Sequence, residues 1–143
     1  MKLDVGCGLN KQPDSIGIDV NRAESVSDVI CSVMHLPFRN CIFDTVVSHR
    51  CIQHVVNQRD AIKEVYRVLK RNGEFKLVVS SWIGTVYFYL IRRRYRNKYC
   101  TCHFYTTQSL KRLFNPFLWR KIQVTRTMTL GRKIKDLQLT ARK

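Results

Sequence analysis

Glycine and proline are scarce in this sequence, which has six glycines and three prolines among 143 residues. This scarcity excludes the collagen-like and low-complexity classes of protein. The uncharged run 77–91 has 15 residues, fewer than the ~20 that a membrane-spanning helix needs. The N-terminal segment lacks the apolar region of a secretory signal, because Asp4 interrupts it. We therefore expect a cytoplasmic protein with no transmembrane segment.

Residues 1–143 are enough for a single domain with its own hydrophobic core, without disulfides or metal ions. We expect the six cysteines to be free thiols, as is usual in a reducing compartment. Cys100, Cys102 and His103 form one cluster of metal-ligand type, but no second ligand pair lies at zinc-finger spacing from it. The sequence therefore predicts no metal site.

Acidic residues are nearly absent from the last 61 positions. Residues 1–82 carry 11 basic and 9 acidic side chains, whereas residues 83–143 carry 15 basic side chains and one acidic side chain, Asp136. A solvated surface usually mixes the two signs, so this stretch indicates a polyanionic partner. Nucleic acid is the first expectation and an anionic membrane the second, and a plain soluble basic surface is the remaining alternative.

Short runs rich in Val and Ile alternate with segments of helical periodicity. The short runs are typical of strands buried in a parallel sheet, and they lie at 3–5, 15–20, 28–30, 43–48 and 74–81. The periodic segments predict helices, at 58–70, 84–96 and 108–114. Asn72-Gly73 is expected to stop the first helix, and Thr106 or Thr107 to cap the last.

The C-terminal part of the chain has a different pattern. Residues 119–127 and 134–141 alternate between apolar and polar side chains around Leu130-Gly131, which predicts an antiparallel hairpin. Helices between parallel strands, followed by a hairpin, indicate an α/β fold, a three-layer α/β/α sandwich with a mixed sheet.

The opening segment carries the sharpest chemical signal. A strand that ends in Gly6-Cys7-Gly8 lets the backbone approach a ligand closely, because neither glycine has a Cβ. Asp19 ends the next strand. In a doubly wound sheet the carboxyl ends of these two strands lie side by side, so Asp19 is placed to accept both hydroxyls of a ribose.

Three blocks of this sequence resemble the class I S-adenosylmethionine-dependent methyltransferases of the short "LPF…FD…RVLKPGG" type. LDVGCG (3–8) is similar to the glycine loop of the family, LPFRNCIFDTVVSHRCIQHV (36–55) to its "LPF…FD…S…LEH" stretch, and EVYRVLKRNGEFKLVV (64–79) to "E…RVLKPGG". The resemblance implies a Rossmann-like fold with a seven-stranded sheet of order 3-2-1-4-5-7-6 and an antiparallel last strand. A nicotinamide-binding domain is disfavoured, because Lys11 stands where G-x-G-x-x-G has its third glycine.

The resemblance also implies a set of residues that bind S-adenosylmethionine. Gly6 and Gly8 would pass under the cofactor, Asp4 would fix the loop and Asp19 would bind the ribose. Ser32 stands where the family commonly has an acid that binds the adenine amino group, Val33 could offer its backbone N–H and Met34 could pack on the ring. The full set is Asp4, Gly6, Cys7, Gly8, Asp19, Val20, Ser32, Val33, Met34 and Ser48.

Two departures from the family pattern shape the expected site. Seven residues separate Gly8 from Ile16, too few for the usual helix, so we expect a loop or a single turn there. The sequence also starts at the first strand, so the site is expected to be open, or closed by a partner subunit or by residues 84–104.

Methyl transfer is an in-line displacement that requires alignment of the acceptor more than a dedicated base. Where the acceptor must lose a proton, His49 and His54 are the candidate catalytic residues. A scaffold role is the alternative for both, more so for His54. We expect Cys51 to be a buried structural residue.

Basic residues with interleaved tyrosines point to the acceptor. We interpret residues 83–105 as a basic acceptor-recognition insertion, since arginines suit phosphates and tyrosines suit base stacking. The candidate acceptor-binding residues are Arg50, Arg92, Arg93, Arg94, Tyr95 and Arg96.

RNA, of a tRNA-like kind, is the leading acceptor class. The blocks also resemble, more loosely, the methyltransferases that modify wobble uridines of tRNA and work with a small activator subunit, so an activator or a homodimer is the expected partner. The alternatives are a small-molecule or lipid methyltransferase and a non-catalytic subunit with this fold.

Overall fold

A computed structural model describes residues 1–81, 103, 105–114, 118–128 and 135–143. Within this part of the chain, seven strands form one sheet of order β3-β2-β1-β4-β5-β7-β6. The strands are β1 Lys2–Val5, β2 Ile16–Asp19, β3 Val29–Ile30, β4 Phe43–His49, β5 Leu69–Ser80, β6 Arg120–Met128 and β7 Lys135–Arg142. A 3-10 turn, η1 (Ile52–His54), and two helices, α1 (Gln58–Val68) and α2 (Thr107–Leu113), complete the described elements.

The sheet has the predicted mixed topology. Strands β1 to β5 run parallel to one another, and β7 is antiparallel to both β5 and β6. The strand order and the antiparallel pairing of the two C-terminal strands are therefore confirmed, whereas the predicted turn at Leu130-Gly131 lies outside the described residues. Parallel pairing brings the carboxyl ends of β1, β2, β3 and β4 to one edge, where ligands bind in open α/β sheets.

One face of the sheet packs against the two described helices. Its buried side chains include Leu3 of β1, Val46 of β4 and Phe75 of β5, and they share a single core with Val65 of α1 and Leu110 of α2. The alternation of side chains along each strand places Asp4, Val47 and Lys76 on the other face. The predicted helix 84–96, which would add to the helical layers, lies outside the described residues.

The predicted helix stop is wrong. Helix α1 ends at Val68, and Asn72 and Gly73 lie inside β5. Leu69 is fully buried and pairs with Phe43 of β4, so tertiary packing ends the helix earlier than its periodicity suggests. Asn72 still adopts a positive φ of 66°, and it does so at an irregular stretch of β5 where Lys143 pairs with Asn72 and Gly73.

The helix starts follow ordinary capping chemistry. Asn57 accepts a hydrogen bond from the Asp60 N–H at the start of α1. Thr106 caps α2 through the backbone N–H of Ser109, whose hydroxyl in turn accepts from the Thr106 N–H. The predicted Thr106 cap is confirmed, and α2 is displaced by one residue from the predicted 108–114.

The connection between β1 and β2 contains turns and no helix, as its short length predicted. Among the described residues, no helix is both long enough and apolar enough to cross a lipid bilayer.

Candidate cofactor site

A cavity of about 830 Å³ opens at the carboxyl edge of β1, β2, β3 and β4. A volume in this range suits a ligand of nucleoside size or larger. The predicted residues that line it are Gly6, Gly8, Asp19, Val20, Ser32, Val33, Met34, Arg50 and His54. The sheet topology therefore brings together nine residues that lie far apart in the sequence.

The glycine loop is tied to β2 and leaves no space for a side chain at its first glycine. The backbone N–H groups of Gly6 and Cys7 both donate to the Ile18 carbonyl, at 2.9 and 3.1 Å. Gly6 has a φ of 68°, and a Cβ built on it would lie 2.3 Å from the Cβ and the Sγ of Cys51. Only glycine fits this position.

Gly8 differs from Gly6 because the space beside it is empty. A Cβ on Gly8 would meet no atom within 4 Å, and the φ of Gly8 is 50°. Its N–H donates to Oδ2 of Asp19 at 3.0 Å, which fixes the loop next to the end of β2. The open space lies along the cavity wall, where a ligand can approach the backbone.

Asp19 is held in place with acceptor capacity to spare. Its Oδ1 accepts a hydrogen bond from the Asn21 N–H at 3.0 Å, while Oδ2 accepts from Gly8. A carboxylate has about four lone-pair sites. Each oxygen can therefore still accept a hydroxyl, as a pair of vicinal hydroxyls on a ribose requires.

The segment after β3 forms an opposite wall. Ser32 Oγ accepts from the Met34 N–H at 3.2 Å, and the Ser32 carbonyl accepts from the His35 N–H at 3.0 Å. Within the described residues the Val33 N–H makes no hydrogen bond. The wall thus presents a hydroxyl, a backbone donor and the apolar side chains of Val33 and Met34.

Two charged residues of α1 hold this wall. Glu64 Oε2 accepts from the Leu36 N–H at 2.9 Å, and Arg67 donates to the carbonyls of Leu36 and Phe38 at 2.9 and 2.8 Å. The two side chains also form an ion pair, with 2.7 Å between Arg67 Nε and Glu64 Oε1. These hydrogen bonds lower the pKa of Glu64, with the Arg67 contact first.

Four of the predicted residues that the structure describes do not line the cavity. Asp4 is buried beneath the loop and accepts from the Gln12 N–H at 2.7 Å, an arrangement that fixes the loop. Burial raises the pKa of Asp4. Cys7 is buried with its sulfur toward Gly17, and Ser48 is buried beside Cys51. His49 lies exposed at the end of β4.

Arg50 joins the cavity to the C-terminal hairpin. It lines the cavity with a φ of 56°, and its Nη2 donates to Oδ2 of Asp136 on β7 at 2.6 Å. Asp136 is 3% exposed. Arg50 Nε is buried without a hydrogen bond within the described part of the chain, whereas the side chain as a whole is 36% exposed.

Two buried glutamines position the turn that carries His54. Gln53 Oε1 accepts from the Ser80 N–H at 2.9 Å, and its Nε2 lies 3.4 Å from the His54 Nε2. Gln58 Nε2 donates to the Ile52 carbonyl at 2.9 Å and to the Tyr105 hydroxyl. The ends of the segment 82–104 are also linked here, because Ser81 forms a bridge with Tyr105.

The sequence did not point to several residues of the site. Leu9, Asn10, Asn21, Glu24, Cys31, Cys51, Val55 and Val56 also line the cavity. Most are short loop residues without a periodic pattern. The Arg50–Asp136 pair had one signal, since Asp136 is the sole acid of the last 61 residues. The predicted residues Arg92, Arg93, Arg94, Tyr95 and Arg96 lie outside the described residues.

The residues present fit the nucleoside part of S-adenosylmethionine. Asp19 offers free lone pairs for the ribose, and the open space beside Gly8 lets the ligand approach the backbone. Val33 and Met34 supply apolar surface for a base, with the Val33 N–H as a donor. The fit rests on the hydrogen-bonding groups of Asp19 and Val33 and on the empty space beside Gly8.

Comparison with known proteins identifies the family of the chain. A family model described as "Methyltransferase domain" matches residues 3–77. An uncharacterized protein of Methanocaldococcus jannaschii is 34% identical over 89 residues, which are 54% of this chain and 39% of that protein. The human "Probable tRNA methyltransferase 9B" is 30% identical over 92 residues, 53% of this chain and 20% of its own length. The chain thus spans less than half the length of these curated relatives.

Solved structures share the fold over nearly the whole chain. A S-adenosylmethionine-dependent methyltransferase from Thermotoga maritima, described as a possible histamine N-methyltransferase, superposes with a TM-score of 0.76 at 16% identity, over 99% of this chain and 81% of its own. A chain from the complex between the Haloferax volcanii Trm112 methyltransferase activator and a methyltransferase superposes with a TM-score of 0.70 at 14% identity. The superposition covers 99% of this chain and 81% of that chain.

The matched model covers more than half of the chain, and it includes the glycine loop, Asp19 and the whole of β4. The predicted strand order, the loop geometry and the matched segment agree. The chain belongs to the class I S-adenosylmethionine-dependent methyltransferase family, with S-adenosylmethionine as its methyl-donating cofactor.

Proposed function

We propose that this chain transfers a methyl group from S-adenosylmethionine to an RNA acceptor. The observation that carries the RNA part is the position of Asp136. It is the sole acid among residues 83–143, and it is buried against Arg50. The 15 basic residues of that stretch therefore have no acidic neighbour from the same stretch at the surface.

The donor half of the reaction rests on residues already described. Gly6 and Gly8 allow close approach to the backbone, Asp19 binds the ribose hydroxyls, and Ser32, Val33 and Met34 bind the base. Asp4, Cys7, Val20 and Ser48 support these contacts from the loop and the strand ends. The cofactor, when bound, supplies an electrophilic methyl group on a sulfonium.

The acceptor half lies toward the end of β4. Arg50 lines the cavity and is anchored by Asp136, so its partly exposed guanidinium suits a phosphate or another anionic group of the acceptor. We place Arg92, Arg93, Arg94, Tyr95 and Arg96 in RNA binding on their composition alone. Alignment of the acceptor by such contacts can supply most of the rate enhancement that this reaction needs.

His49 and His54 remain the candidates for proton removal. His54 lines the cavity, and Gln53 orients it. Partial burial and the nearby Arg50 lower the pKa of His49, while Asp136 and Asp4 oppose that shift. A lowered pKa keeps His49 neutral near pH 7, the form that accepts a proton.

A partner subunit is part of the proposal. Leu9, Val20 and Val56 are apolar residues at the cavity mouth with exposed fractions of 69%, 71% and 81%. The Haloferax volcanii neighbour was solved with an activator subunit. We infer that an activator or a second copy of this chain covers the mouth. The four described cysteines are free, as in a reducing compartment such as the cytoplasm.

The experiment is a transfer assay with S-adenosylmethionine labelled in its methyl group. The purified chain is incubated with a total small-RNA fraction, with phospholipid vesicles or with a mixture of small amines. We expect label in the RNA fraction alone, and loss of that label in Asp19→Ala. Label in lipid or amine, with none in RNA, would establish the small-molecule or lipid alternative instead.

An inactive chain that binds S-adenosylhomocysteine would be assayed again with a copurifying subunit. Activity restored by that subunit would support the activator. Absence of both cofactor binding and transfer would make the chain a non-catalytic subunit and overturn the proposal.

A further inference from the structure

The face of β5, β7 and β6 that points away from the helices is open and polar. The pairing of the strands places its side chains in rows across the sheet. Lys76, Thr140 and Gln123 form one row, and Val78, Gln138 and Thr125 form the next. Lys76, Gln138, Gln123 and Thr125 are exposed.

The opposite face of the same three strands is entirely different. Phe75, Leu77 and Val79 of β5 and Leu137, Leu139 and Ala141 of β7 are at most 2% exposed and belong to the core. A sheet with one apolar and one polar face is normal where the polar face meets water. The open face is therefore a surface whose side chains are available to a polar partner.

One corner of the open face carries positive charge. Arg142 of β7 lies directly opposite Arg120 of β6, and both are exposed. Like charges that face each other across two strands are destabilising. Glu74 offsets part of this charge, since its oxygens lie 3.2 Å from Lys76 Nζ and 3.8 Å from Arg142 Nε. An anion between the two arginines would remove the repulsion that remains.

Apart from Val78, the remaining side chains named on this face are hydrogen-bonding groups. Gln123, Thr125, Gln138 and Thr140 are donors and acceptors of the kind that contact phosphate and sugar oxygens. None of the aromatic residues in the described part of the chain is exposed. The described side chains of this face thus include no ring on which an unpaired base could stack, and so they suit a backbone more than bases.

The face also leads to the site. The row of Thr125 and Gln138 continues through Val78 to His49 at the end of β4. The next residue, Arg50, lines the cavity. A nucleic acid that lies along the open face therefore reaches the carboxyl edge of the sheet where the cofactor site opens.

We propose that the open face of β5, β7 and β6 docks the sugar-phosphate backbone of a base-paired stretch of RNA. The inference rests on the proposed function, since it takes RNA as the acceptor. Beyond that function, we infer that the protein binds a duplex part of the acceptor at a surface separate from the cavity. These contacts do not depend on base sequence.

The test uses isosteric changes that put negative charge on the face. Gln123→Glu/Gln138→Glu changes two exposed residues of the face, and Gln12→Glu/Gln108→Glu makes the same chemical change at two exposed residues away from it. Binding is measured by fluorescence anisotropy of a labelled RNA hairpin and of an unpaired oligouridine of equal length, in 50 and 200 mM salt. Melting temperatures check that both variants fold.

We expect wild type and the control to bind the hairpin equally and more tightly than oligouridine. Gln123→Glu/Gln138→Glu should weaken hairpin binding by about tenfold or more, because each carboxylate repels a phosphate. Arg120→Gln should make the slope of log affinity against log salt shallower by about 0.7 to 0.9.

The outcomes separate the two levels of the proposal. Wild type that binds RNA but shows the same affinity in both double variants would overturn the docking face and leave the proposed function standing. A preference for oligouridine over the hairpin would overturn the duplex assignment. Wild type that binds neither RNA would overturn the docking face and count against RNA as acceptor.

Discussion

Asp136 of β7 and Arg50 at the end of β4 form an ion pair across the sheet, with 2.6 Å between Oδ2 and Nη2. The pair connects the basic C-terminal hairpin to the cofactor cavity, although 86 positions separate the two residues. Because the Asp136 side chain is only 4% exposed, its charge pairs with Arg50 and contributes little to the surface.

Asp136→Asn tests this connection. Removal of one partner leaves Arg50 without its counter-charge, which should lower the free energy of unfolding by about 1–3 kcal/mol. The measurement is urea unfolding at pH 7, with Asp14→Asn, an exposed site, as the control. Equal stability of Asp136→Asn and wild type would show that the pair does not hold the hairpin.

The two glycines of the loop should respond differently to alanine. Gly6→Ala forces a Cβ against Cys51, 2.3 Å away, and should destabilise the fold by about 2–4 kcal/mol through overpacking and the positive φ. Gly8→Ala meets no atom and should cost about 1–2 kcal/mol.

Cofactor binding then separates the two positions. In a folded Gly8→Ala protein the added methyl stands in the cavity, so the affinity for S-adenosylhomocysteine should fall by about tenfold or more. Titration calorimetry at a temperature where both proteins are folded gives the comparison. Wild-type affinity in Gly8→Ala would place the ligand elsewhere.

Glu64 should make stability depend on pH. Its pKa is lowered below 4.5 in the folded protein by Arg67 and the Leu36 N–H. A carboxyl with a depressed folded pKa stabilises the protein above its unfolded pKa and loses that contribution as pH falls through the folded value. Wild type should therefore be more stable than Glu64→Gln at pH 7, and the difference should shrink below pH 4.5.

Urea unfolding of both proteins between pH 7 and pH 3 measures this difference, with Glu24→Gln as a matched change at an exposed site. A stability difference between wild type and Glu64→Gln that stays constant down to pH 3 would contradict the assigned contacts.

Cys51 should be unreactive. Burial is the main reason that its pKa is raised to about 12, so the thiolate is scarce at pH 8. We expect iodoacetamide to label the exposed Cys41 and to leave Cys51 unmodified in the folded protein, as measured by peptide mass spectrometry. Rapid labelling of Cys51 would mean that the glycine loop opens away from it.

The sequence predicted those parts of the molecule that depend on local pattern. Alternation and helical spacing predicted the pair of C-terminal strands and a helix cap at Thr106 or Thr107. The two glycines and Asp19 predicted that the ends of β1 and β2 lie side by side, and the strand order followed from the family resemblance. The end of α1 was mispredicted, because the buried Leu69 continues into β5 through a tertiary contact with Phe43. Local propensity at Asn72-Gly73 carries no information about that contact.

The sequence did not predict the long-range polar contacts, for a related reason. The pairing of Arg50 with Asp136, and the contact of Gln58 with Tyr105, depend on which strands become neighbours and on side-chain direction. Neither has a spacing signature. The ion pair of Glu64 and Arg67 is local, because the two residues are three positions apart on α1. The hydrogen bond from the Leu36 N–H to Glu64, however, depends on the packing of α1 against the cavity wall.

The most direct test of the central claim is calorimetric titration of S-adenosylhomocysteine into wild type and Asp19→Ala, with Asp14→Ala as a matched control. We expect micromolar binding in wild type and in the control, and binding at least tenfold weaker in Asp19→Ala, because the ribose loses its carboxylate acceptor. Equal affinity in all three proteins would contradict the assigned cofactor site.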